Sequence, residues 1–200
     1  MRRAFLGAVL LLAACTPGVW QKRQGVDGGG ARGRLYLPHL YAPLLPGSIY
    51  PDKRKPLPVE GRPGALVVLP PGARRDLAVE ALGERGFVAL VLKAGPSVDV
   101  DRAVTWLRAR PECAGAKVVA IVPAGTALGR EAAAVALMGT AAAPLASPAP
   151  VALFGLTSGA PPSTVGPWAL EKWYRPDARG RFPAEAWRDA AEWLALVLAR

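Results

Sequence analysis

Four short runs of uninterrupted apolar residues recur along the chain: Ala65-Leu66-Val67-Val68-Leu69, Phe87 to Leu92, Val118-Val119-Ala120-Ile121-Val122 and Val151 to Phe154. A strand with one wet face alternates apolar and polar residues, so a run without polar partners predicts a strand covered on both faces. Between the runs the period becomes helical. Leu77, Ala78, Ala81 and Leu82 form one stripe closed by Gly86; Val100, Ala103, Val104 and Leu107 form another, opened by Ser97 or Asp99 and followed by Pro111. The alanine-rich stretch Gly129 to Met138 predicts a third helix, and Trp187, Ala190, Ala191, Leu194, Val197 and Leu198 a terminal one entered through Pro183. Strands and helices in alternation demand right-handed crossovers, which put parallel strands in one sheet with helices on both faces. The expected class is α/β with a short parallel sheet. Upstream, Arg34 to Tyr41 predicts a strand interrupted by Pro38, and the prolines between Ala42 and Pro63 leave little room for regular structure.

Composition removes several functions. Two Cys and one His in 200 residues exclude a disulfide framework and leave too few ligands for a Cys/His zinc site, so no metal is expected. His39, the one His, lies far upstream of any nucleophile and reads as a structural or surface residue. Gly28 to Gly33 lacks the preceding strand and the Lys-Ser/Thr of a phosphate-cradling loop, and no cofactor is expected. The formal charge of +10 calls for anionic neighbours. Lys22, Arg23, Arg32, Arg34, Lys53, Arg54, Lys55, Arg74 and Arg75 are scattered and come with no nucleic-acid recognition motif, so a solvated basic surface is the expectation and nucleic acid is not an expected partner.

The first residues read as an address. Met1-Arg2-Arg3 is a basic leader, Ala4 to Leu12 an apolar core too short to span a bilayer, and Leu12-Ala13-Ala14-Cys15 follows. This segment resembles the lipobox of bacterial lipoproteins. The resemblance implies a signal peptide over 1–14, acylation (palmitate-type) of Cys15, and an extracytoplasmic protein of the cell envelope held to the lipid bilayer by its acyl chains. Residues 15–33, rich in Gly and poor in apolar residues, are then expected to be the lipidated Cys and a flexible tether, with a single domain over 34–200. Cys113 would be left as a lone thiol.

Within the domain, Leu66-Val67-Val68-Leu69-Pro70-Pro71-Gly72, Leu82 to Leu90, Asp101-Arg102-Ala103-Val104-Thr105-Trp106-Leu107-Arg108-Ala109-Arg110-Pro111 and Lys117 to Val122 resemble the central run of an α/β-hydrolase of the dienelactone-hydrolase group. The likeness covers about residues 64 to 155 well and 174 to 199 loosely, and implies a truncated form of that fold. It also implies a Gly-x-nucleophile-x-Gly elbow after the third apolar run, where Pro123-Ala124-Gly125-Thr126-Ala127 stands, with Gly125 in the nucleophile's place. The acid is expected after a late strand, where Leu156-Thr157-Ser158 offers Ser158, and the His in Tyr174 to Phe182, where Gly180 and its neighbours offer none. Whether Val151 to Phe154 matches the sixth or the seventh strand of the family stays open.

A triad degenerate in three roles points to a pseudoenzyme that binds an unknown ligand or envelope protein at the strand ends, with Thr126, Trp168 and Trp173 as candidate contacts. The alternative is an esterase-type hydrolase with a displaced nucleophile, drawn from Thr126, Ser158, Ser163 or Asp177. A third reading has the domain packing in the envelope through exposed Trp168 and Trp173. The lipobox makes the first prediction: Cys15→Ser abolishes metabolic acyl labelling and releases the protein from membranes, whereas labelling that persists in the variant refutes the anchor.

Overall fold

Each of the four apolar runs becomes a buried strand, and four more strands join them. The computed structural model describes residues 21–28, 30–38, 59–95, 98–127, 129–139, 148–159 and 168–200. The strands are β1 (Gln21–Asp27), β2 (Arg32–Pro38), β3 (Gly64–Leu69), β4 (Val88–Lys93), β5 (Val118–Pro123), β6 (Val135–Gly139), β7 (Val151–Leu156) and β8 (Leu170–Tyr174). They form one sheet in the order β1-β2-β4-β3-β5-β6-β7-β8. From β4 through to β8 every neighbouring pair is parallel, and β2 alone runs against the rest. The α/β class stands, in a sheet wider than the short one expected.

Among the described residues three α-helices cover the sheet: α1 (Arg75–Glu84), α2 (Val100–Arg108) and α3 (Ala184–Leu198). Alternation along the strands splits the core into two layers. Ala65, Val67, Ala89, Val91, Val119, Ile121, Ala136 and Phe154 face α1 and α3, which contribute Ala78, Leu82, Trp187, Ala190 and Leu194. Leu66, Val68, Leu90, Leu92, Ala120, Val122, Leu137 and Leu153 face the other way, onto Val100, Ala103, Val104 and Leu107 of α2. Helix ends follow the sequence signals. Asp99 Oδ1 accepts from the Arg102 N–H at 3.0 Å to cap α2, while Ser97 lies outside the described residues. Gly86, at φ +76°, follows α1 in the left-handed region and lets the chain reverse into Phe87.

Three expectations need correction. The Gly-rich stretch read as a tether holds β1 and the start of β2, paired from Gln21↔Pro38 to Asp27↔Arg32; pairing with a neighbour satisfies the backbone there, which a count of buried side chains does not register. The helix expected over Gly129 to Met138 is instead a loop and β6. Alanine favours a helix only weakly, whereas Ala134, Ala136 and Met138 pack into one layer and Val135 and Leu137 into the other, the signature of a strand buried on both faces rather than of an amphipathic helix. The segment of Trp168 and Trp173, for which the sequence predicts no strand, contains β8. His39 and Ser163 lie outside the described residues. Among the described residues no helix is long and apolar enough to cross a membrane.

Trp187 is 1% exposed and makes an edge-on contact with Phe182, and its indole N–H has no hydrogen-bond partner among the described residues. Trp187→Ala should therefore destabilise the protein by about 3–5 kcal/mol. Trp187→Phe, which also removes the unpartnered donor, should cost clearly less, and denaturant titration compares the two.

Candidate functional site

The sheet order fixes where a crevice can form. β3 continues through α1 to β4 on one side, and β5 continues to β6 on the other. Chain connections therefore diverge above the carboxyl ends of β3 and β5, the place where open α/β sheets bind ligands. Pro70-Pro71-Gly72 leaves β3 on one side of this point and Ala124-Gly125-Thr126 leaves β5 on the other.

At the end of β5 the Thr126 N–H donates to the Pro123 carbonyl at 3.1 Å, and Gly125 sits at φ +87°, the value required at the third residue of a type II turn. Gly125 is exposed, and a Cβ built on it would meet nothing within 4 Å. No helix follows among the described residues of 124–134, so no aligned helix amides face this point. Thr126, half-buried at the end of this turn, precedes no helix among the described residues. The link to β6 is pinned to α2 instead: the Asp101 carboxylate accepts from the N–H groups of Arg130 (3.3 Å) and Glu131 (3.1 Å), and Arg108 pairs with Glu131 at 2.8 Å. A Cβ on Gly129 would lie 1.7 Å from Asp101 Oδ1, so a bare glycine permits this approach.

The other degenerate positions share the same end of the sheet without converging on Gly125. Ser158 is exposed just past β7, beside a turn in which Thr157 Oγ1 accepts from the Gly159 N–H at 3.2 Å. With β6 between them, β5 and β7 are about 10 Å apart. Gly180, at φ +73°, lies in a turn after β8 built around Asp177. That carboxylate accepts from the N–H groups of Arg179 (2.8 Å) and Arg181 (2.9 Å) and from Arg181 Nε (2.9 Å). The Arg181 side chain, with these backbone donors, holds the Asp177 carboxyl at about 2. Asp177 is thus an ionised, hydrogen-bonded turn anchor.

Trp173 and Trp168 pack against the α2-side core layer. The Trp173 ring lies across Gly155, whose Cβ would fall 2.2 Å from it, and its Nε1–H donates to Glu171 Oε1 at 2.6 Å. Both are half-buried, so part of each ring is spent on packing.

A cluster missed in the sequence lies on the opposite face of β8. Asp189 of α3 accepts from Lys172 Nζ at 2.5 Å and from the Tyr174 hydroxyl at 2.6 Å. Burial, then the Asp189 contact, raises the Tyr174 hydroxyl's pKa; at Asp189 burial is outweighed by Lys172 and Tyr174, which pull the carboxyl below its usual range. The i, i+2 spacing of Lys172 and Tyr174 was the available signal, but their partner is distant in sequence. Each member is satisfied by the others, as in a structural clasp.

No family description matches the chain, and no curated protein does either. Among solved structures, a proposed carboxylesterase from Lactobacillus plantarum WCFS1 is similar at a TM-score of 0.48 and 10% identity, over 90% of this chain and 100% of that one. A proposed CIB-like hydrolase from Thermoplasma acidophilum is similar at 0.44 and 10%, over the same shares.

Cys113 is fully buried in the α2-side layer, and burial pushes its thiol up to about 12. It should resist iodoacetamide at pH 8 in the folded protein and react only on unfolding. Rapid labelling of native protein, read by mass spectrometry, would contradict this burial.

Proposed function

We propose that the chain is a membrane-anchored bacterial lipoprotein whose α/β-hydrolase-like domain does not catalyse and instead binds a ligand or an envelope partner at the strand carboxyl ends. The observation that carries this reading is the end of β5: Gly125 occupies an exposed turn with no side chain to attack a carbonyl and no helix behind it among the described residues to stabilise an oxyanion. Support for the hydrolase-like ancestry comes from the family-like residue runs, which fall in order on β3, α1, β4, α2 and β5.

The anchor fits this arrangement. Gln21 begins β1 opposite Pro38, at the end of the sheet away from the crevice. Six peptide steps separate it from Cys15, a reach of about 20 Å at most. An acylated Cys15 would hold the amino ends of the parallel strands toward the bilayer and leave the crevice facing away from it.

The purified chain should show no triad-type esterase activity. A panel of activated short-chain esters and a serine-directed phosphonate probe test this. Gly125→Ser should remain inactive too, since without a neighbouring base the hydroxyl stays a weak nucleophile. Burst kinetics, or stoichiometric labelling of Thr126, Ser158 or Ser163, would establish the displaced-nucleophile hydrolase instead.

A further inference from the structure

Basic residues that look scattered in the sequence converge in space. Arg32 and Arg34 on β2, Lys93 at the end of β4, and Arg74 and Arg75 at the start of α1 line a single open groove of about 770 Å³. Strand alternation explains the convergence: Arg32, Arg34, Val91, Lys93 and Leu69 all stand on the sheet face that α1 covers, and α1 begins too low to cover their upper ends. The groove holds five cationic side chains and one carboxylate, Asp76, which is already paired with Arg74. Of the acids outside the groove, Glu80 and Asp177 attract Arg74 at longer range, Asp177 being bound into its turn, while Asp101 and Asp189 serve the β5–β6 link and the clasp. Arg32, Arg34, Arg75 and Lys93 have no ion-pair partner among the described residues.

This arrangement costs stability. Like charges repel across the groove, Arg74 occupies the N-cap of α1 without a capping side-chain bond, and Arg75 stands in a first turn whose dipole favours acids. Unpaired cations gathered at such a place are repaid by a ligand that brings negative charge. Guanidinium forks match phosphate oxygens two at a time, and an excess of four positive charges suits an anion carrying several. Leu69, Ala73 and Val91 add an apolar floor.

We propose that this groove is a binding site for a soluble, multiply charged phosphate-bearing anion. It contains none of Gly125, Ser158 and Gly180, so the site stands whether or not the domain hydrolyses esters.

The test uses the full chain in nonionic detergent, titrated calorimetrically with inorganic tripolyphosphate and, separately, with dihexanoyl phosphatidylglycerol as a soluble anionic headgroup. Tripolyphosphate should bind one to one, and more weakly as salt is raised. Arg75→Ala with Lys93→Ala, both exposed, should weaken it at least about tenfold while leaving Tm unchanged or higher. Lys117→Ala with Arg188→Ala, exposed cations outside the groove, removes the same charge and should change affinity by less than about twofold. Equal losses in the two double variants would reduce the effect to net charge and overturn the site. Absence of tripolyphosphate binding, or a preference for dihexanoyl phosphatidylglycerol, would overturn it as well.

Discussion

A central sheet closed to water on both faces governs the rest of this molecule. From β3 to β7 the interior strand positions carry only apolar side chains, and no polar or charged side chain is buried among the described residues. Each fully buried aliphatic side chain contributes about 1.5–3 kcal/mol, so the two layers supply the bulk of the favourable free energy. The constraint also exports charge, which stands at strand ends, in turns, on outward helix faces and along the two sheet edges, β1–β2 and β8.

The consequence for function is local. An elbow that presents a nucleophile needs a side chain at the turn and a helix to follow, and the end of β5 has a bare turn and a loop strapped to α2 through Asp101. Carboxylates nearby are consumed by structure, Asp177 by Arg181 and backbone amides, Asp189 by Lys172 and Tyr174. By contrast four of the five cations of the groove above α1 have no ion-pair partner among the described residues, so the strongest unspent interaction at this end of the sheet is attraction for an anion.

Legibility in the sequence tracked the range of the forces involved. Strands β3, β4, β5 and β7 and helices α1, α2 and α3 were readable because an unbroken apolar run, or a stripe with its cap, is a local pattern that burial enforces. Strand β6 was misread because alanine serves a helix and a tight two-sided strand equally, and only its neighbours β5 and β7 decide. β1 was missed because its stability lies in backbone pairing with β2, and β8 because Lys172 meets its acid, Asp189, across 17 positions. Gly125, Ser158 and Gly180 stand at one end of the sheet without meeting, a separation that no local pattern encodes. The basic groove was invisible since Arg32, Arg34, Arg74, Arg75 and Lys93 come from three separate segments.

Backbone chemical shifts and amide exchange over residues 124–139, measured by NMR on isotopically labelled protein, test the central claim most directly. The account predicts a positive φ at Gly125, non-helical shifts at Thr126 and Ala127 and from Gly129 to Ala134, and extended, exchange-protected amides from Val135 to Met138. A run of helical shifts beginning at Thr126 would restore the helix behind the turn, and with it the oxyanion site whose absence the non-catalytic reading requires.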